Sequence, residues 1–145
     1  MRVVGVGSAL SLTGIIPNSD KDIPAAPVVF VDGLYASGCY YHPHPGVTRI
    51  GGREFECNRG ILVADVEKDF DGRGDALAHE WRHHWQYCHG WVSDSRGLQR
   101  PNEEYYEFIR RYFRSSRSEM DAELYAWRVT GKPYEPWADA LKVAI

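Results

Sequence analysis

Asp75-Ala76-Leu77-Ala78-His79-Glu80-Trp81-Arg82-His83-His84-Trp85-Gln86-Tyr87-Cys88 is the stretch whose reading decides the fold. A loop, Asp71-Gly72-Arg73-Gly74, leads into it, and Gly90 ends it. This arrangement predicts a helix over about 75–89, capped by Asp75 or a neighbour and stopped by the glycine. Leu77, Trp81, Trp85 (or His84) and Cys88 form one stripe, apolar enough for a core. His79, His83 and Gln86 share a second stripe, because residues three and four apart lie on the same helix face. A helix with an apolar stripe beside a polar one belongs between a core and a site.

The second stripe carries the chemistry. In His79-Glu80-x-x-His83 two imidazoles one turn apart can converge on a single tetrahedral Zn²⁺. Glu80 follows the first of them, so its carboxylate reaches a water on that metal without taking a coordination position. Zinc brings the pKa of such a water to about 7, and the carboxylate can take its proton. The competing reading is a solvated helix face that also carries Arg82 and His84. A catalytic zinc needs a third protein ligand. The pattern H-E-x-x-H-x-x-G-x-x-H has its third histidine six after the second, where His89 stands, but its glycine three after the second histidine is Gln86 here, which disfavours that class. That leaves a carboxylate from a later helix. In Ser118-Glu119-Met120-Asp121-Ala122-Glu123-Leu124-Tyr125-Ala126, Glu119 and Glu123 are four apart and share a face. One can ligate while the other holds a ligand histidine by its outer N–H. Two alternatives compete: Ser116-Arg117-Ser118-Glu119 fits a capping box, and Asp121 is a rival ligand turned roughly 200° from Glu119.

Upstream, Val28–Asp32, Cys39–Tyr41, Val47–Ile50 and Ile61–Asp65 read as strands of one small, mainly antiparallel sheet. His42-Pro43-His44-Pro45-Gly46 turns the chain and Gly51-Gly52 breaks it. Residues 13–27 read as loop, and 3–12 as a β-strand or as part of a loose arm over about 1–27, with a short secretory leader as the alternative. Downstream, Asn102 caps a helix whose buried face is Tyr105, Phe108, Ile109, Tyr112 and Phe113. Ser115-Ser116 interrupts, a third helix runs over about 117–130 to Gly131 and Pro133, and 136–143 suggest a short last helix. The whole is α+β: a small sheet packed on the motif helix and a helical C-terminal half.

At 145 residues the chain fits one domain, with nine Tyr and five Trp for its core. A net charge of −3 argues against nucleic acid as the partner. No apolar run is long enough to span a bilayer, so no membrane partner is expected. Three cysteines are too few for a disulfide scaffold, although Cys39 and Cys57 could pair. Cys39, His42, His44 and Cys57 fit no standard zinc-finger spacing. A cytoplasmic location is expected, with secretion through the N-terminal stretch as the alternative.

His79-Glu80-x-x-His83-x-x-Gln86, followed by Glu119-x-Asp121-Ala122-Glu123-x-x-Ala126, resembles the gluzincin metallopeptidases, and most of all their smallest single-chain members. The likeness covers roughly residues 60–130. It implies a zincin-like fold, a Zn²⁺ cofactor, a peptide or protein substrate, Glu119 as third ligand and Glu123 as support behind a ligand. Glu123 stands where Asp is commoner. The resemblance also implies an edge strand just before the motif helix, and Ile61–Asp65 is placed for it. For the stabilisation of an oxyanion, Tyr105, Tyr106, Tyr112, Tyr125, His84 and His89 are all candidates. The expected function is peptide hydrolysis with His79, His83 and Glu119 on zinc and Glu80 as general base. The alternative is a non-catalytic, zinc-stabilised binding or assembly protein that retains the site.

Overall fold

The computed structural model describes residues 1–8, 23–68, 75–92 and 99–131. Within them the chain is mixed α+β. A four-stranded sheet runs in the order β1 (Arg2–Ser8), β2 (Pro27–Asp32), β6 (Ile61–Asp65), β3 (Gly38–Tyr41). β1 pairs antiparallel with β2, β3 pairs antiparallel with β6, and β2 and β6 are parallel. Mainly antiparallel is therefore the right description, with one parallel pair at the centre.

Three features of this half settle or depart from the sequence reading. Of the two readings of the N-terminal stretch the strand holds and the loose arm does not, since residues 2–8 form β1 along Asp32 to Pro27. Residues 28–65 do not make one sheet: β4 (Val47–Ile50) and β5 (Arg53–Glu56) form a hairpin of their own around Gly51 and Gly52, both at positive φ. β6 is not an edge strand. It lies between β2 and β3 with all five residues buried. The reason is packing on both faces. Leu62 and Ala64 join Val28, Leu77, Ala78, Trp81, Tyr125 and Ala126 in a core beneath the helices. Ile61 and Val63 join Val29, Val31, Leu34, Ile50 and Cys57 in a second core on the hairpin side. The edge beside the motif helix is β3.

The motif helix, α1 (Asp75–Cys88), packs on the first core through Leu77, Ala78 and Trp81. At the next turn His84 is buried and Trp85 half-buried, while Cys88, expected in the core, is exposed. Gly90, at φ 77°, closes the helix: its N–H meets the Tyr87 carbonyl at 3.1 Å and Trp91 N–H meets Gln86 at 2.9 Å. Whether Asp75 caps the start lies outside the described residues. α2 (Tyr105–Ser115) begins later than expected. Asn102 is no cap but a left-handed turn residue at φ 64°, and Glu104 takes the cap position. The side chains of Tyr106, Ile109 and Phe113, and the last helix suggested at 136–143, lie outside the described residues. α3 (Arg117–Thr130) shares Ser116 with the end of α2 and ends on left-handed Gly131. Among the described residues no helix is long and apolar enough to cross a membrane.

Candidate metal centre

α1 and α3 pack face to face, and their polar stripes meet. His79 and His83 lie one turn apart on α1; Glu119 and Glu123 lie one turn apart on α3. Across the seam His79 Nε2 is 3.0 Å from Glu119 Oε2, and His83 Nε2 is 3.2 Å from Glu119 Oε1. The two Nε2 atoms are 3.1 Å apart. The four side chains are 7–16% exposed, so the cluster is buried without being sealed.

The outer atoms of the imidazoles fix which nitrogens hold protons. His79 Nδ1 faces Glu123 Oε2 at 2.8 Å, and a carboxylate can only accept. His83 Nδ1 faces Gln86 Oε1 at 2.9 Å. Both rings therefore carry N–H at Nδ1 and turn Nε2 inward. In the neutral rings those inward nitrogens are lone pairs pointed at each other and at a carboxylate. Three acceptors so close together require a cation between them, either a proton or a metal. Two ligands at 2.0–2.1 Å on a tetrahedral zinc stand about 3.3 Å apart, close to the spacing seen here. Among the described residues this is the one group of His, Cys, Asp and Glu side chains that could hold a metal ion.

The protonation behaviour follows from the same contacts. Burial works against charge on His79, but the hydrogen bonds of Glu119 and Glu123 outweigh it and hold its pKa well above the usual imidazole range. His83 is raised in the same way, against burial, with Glu119 the principal cause. Burial alone would raise Glu119, but both imidazoles hold it far below the usual carboxylate range. Glu80 goes the other way. Burial raises its pKa, offset in part by His79 and His83. Among the described residues none donates a hydrogen bond to its carboxylate. Gly38 on β3 makes room for it: a Cβ there would lie 3.1 Å from Glu80 Cγ and 2.9 Å from the Val63 carbonyl oxygen.

Every residue assigned to the centre from sequence is thus brought together: His79, Glu80, His83, Glu119 and Glu123. Capping and clustering do not compete for Glu119. Ser116 Oγ accepts its backbone N–H at 3.3 Å, while the carboxylate points to the histidines. Asp121 is not in the cluster, because Arg82 holds it at 2.7 Å and Gln86 at 2.9 Å. Of the oxyanion candidates, His84 is committed elsewhere. Its Nε2–H donates to the Pro24 carbonyl at 2.7 Å and its Nδ1 accepts from the Tyr40 hydroxyl at 2.7 Å. Burial lowers its pKa, so it stays neutral. His89 binds the Trp85 carbonyl at the end of α1, and Tyr125 is buried in the core. Cys39, Cys57 and Cys88 are free thiols. Burial and then Glu80 push Cys39 up to about 12, which keeps it protonated and a poor metal ligand. Sequence reasoning passed over Gly38 and gave Gln86 no role. For Gln86 the i,i+3 spacing from His83 was the available signal. Compared with models of protein families, with curated proteins and with solved structures, the chain matches none.

Proposed function

We propose that the chain is a zinc-dependent metallopeptidase of the minimal gluzincin type, with a zincin-like arrangement of sheet, motif helix and ligand helix. The observation that carries this reading is the convergence of His79 Nε2, His83 Nε2 and the Glu119 carboxylate at 3.0–3.2 Å, with Glu80, whose carboxylate has no donor among the described residues, beside them. His79, His83 and Glu119 would hold the ion. Bound there, zinc supplies Lewis-acid polarisation of a carbonyl and acidifies a water. The chain's own part is proton handling. Glu80 takes a proton from the attacking water and delivers it to the leaving amine, a role suited to a carboxylate whose pKa burial raises. Glu123 keeps His79 in the tautomer that leaves Nε2 bare. β3 gives the substrate a place to lie. Among the described strands it is the edge strand nearest Glu80, and an extended peptide could add to it by main-chain hydrogen bonds.

The test is zinc content per chain in protein purified without added metal, together with turnover of a peptide mixture. About one zinc is expected in wild type and in Glu80→Gln, with cleavage confined to wild type. Glu119→Ala loses the metal. A wild type free of zinc near neutral pH overturns the proposal. A zinc-loaded wild type as inert as Glu80→Gln reassigns the centre to structure.

A further inference from the structure

The two histidines are held from behind by chemically different groups. His79 leans on a carboxylate from α3, Glu123. His83 leans on an uncharged amide of its own helix, Gln86, which is only 3% exposed. An amide is ambiguous by itself. Its oxygen fixes the imidazole proton on Nδ1, but a 180° flip would present NH₂ and favour the proton on Nε2, where it blocks a metal. Here the flip is prevented. Gln86 Nε2 donates to the Ser118 carbonyl at 2.8 Å and to Asp121 Oδ2 at 2.9 Å, and both partners can only accept. Oε1 is the atom left for His83. Asp121 is itself gripped by Arg82, Nε at 2.7 Å and Nη2 at 3.2 Å. The Arg82 guanidinium lies 3.6 Å over the Trp85 ring and 5.2 Å from the Tyr125 ring.

We propose that Gln86 is a positioning residue for His83: its amide, anchored by Ser118 and by the Arg82–Asp121 pair, selects the imidazole tautomer that turns a lone pair toward the metal. Asp121 thereby influences metal binding from outside the ligand set. This rests on the metal-site reading above, and the experiment separates the two.

Zinc affinity is measured by competition with a chromophoric chelator, alongside thermal melting of the metal-free protein. Gln86→Leu is expected to bind zinc about 10–100-fold more weakly, the usual consequence of losing the partner behind a ligand. Asp121→Ala gives a smaller loss of the same sign. In a His83→Ala background the Gln86→Leu penalty falls below about twofold, because the residue acts through that imidazole. Nitrogen chemical shifts of His83 in the metal-free protein at alkaline pH report the Nδ1–H tautomer in wild type and a shift toward Nε2–H in Gln86→Leu. Equal zinc affinity in wild type and Gln86→Leu overturns the inference. So does a penalty undiminished by His83→Ala, which would make Gln86 simple adhesive between α1 and α3. If Gln86→Leu does not fold, Asp121→Ala decides by the same two readouts. A wild type that binds no zinc overturns the metal reading instead, and the tautomer measurement still judges Gln86.

Discussion

Asp65, at the end of β6, and Glu80, inside α1, are both buried carboxylates, yet their surroundings differ in kind. Asp65 is saturated with donors. Its Oδ2 accepts from the Gly33 and Leu34 amides at 3.0 and 2.8 Å, and its Oδ1 from those of Glu67 and Lys68 at 2.9 and 3.1 Å. Burial alone would raise its pKa, but these amides and the Lys68 charge bring it below the usual value. The Lys68 ammonium also binds the Leu34 carbonyl, so a single knot ties the end of β2 to the end of β6. Glu80 has imidazoles beside it and no described donor, and its pKa is raised. A carboxylate that ties loops together uses all its acceptor capacity. One proposed to exchange protons, as Glu80 is, keeps lone pairs open and its pKa raised.

The comparison breaks most visibly in catalysis. Glu80→Gln should lower kcat/KM on a cleaved peptide by about 10²–10⁴-fold, the usual worth of a general base, with zinc content unchanged. Asp65→Asn should leave turnover per folded, zinc-loaded molecule as it was. Equal losses in the two variants would mean that the surroundings do not sort the carboxylates by role.

Stability should reverse the order. In urea unfolding of the metal-free protein, Asp65→Ala should cost about 3 kcal/mol, because donors left without an acceptor cost about 1–3 kcal/mol each and part of this set can reach water. Glu80→Gln should instead stabilise by about 1 kcal/mol, since a neutral amide is easier to bury than a carboxylate with no donor among the described residues. A destabilised Glu80→Gln would show that the carboxylate holds the fold together as well.

How far such features are legible in sequence depends on how local they are. His79, Glu80 and His83 follow from spacing on one helix, and Glu119 with Glu123 from spacing on another. Ser116 and Gly131 mark the bounds of α3 because capping is a matter of a few adjacent residues. The placement of β6 failed at a readable signal. Ile61-Leu62-Val63-Ala64 is continuously apolar, the mark of a strand covered on both faces, whereas a half-exposed edge alternates. β5, Arg-Glu-Phe-Glu, carries too little apolar surface to announce itself. Spacing put Gln86 on the stripe of His83, but what anchors it, and the roles of His84 and Asp65, were out of reach. Their partners, at Ser118 and Asp121, at Tyr40 and Pro24, and at Gly33 and Leu34, stand 31 to 60 residues away along the chain.

The smallest expected effect is on the pH dependence of stability, and it has opposite signs at the two sites. Asp65 has a folded pKa below its unfolded value of about 3.9, so its contribution is fully present above that value and is lost as pH falls through the folded pKa. Asp65→Asn should therefore flatten the acid side of the stability curve below about pH 4. Glu80 has a folded pKa above its unfolded value of about 4.3. Between the two values the folded state binds more protons than the unfolded one, so stability declines as pH rises through that window. Glu80→Gln should remove this decline and leave the acid limb untouched. Urea midpoints of the metal-free protein across pH 2 to 7 resolve both slopes. A slope unchanged in Glu80→Gln would place that carboxylate in water rather than in the enclosed setting that fits it to exchange a proton.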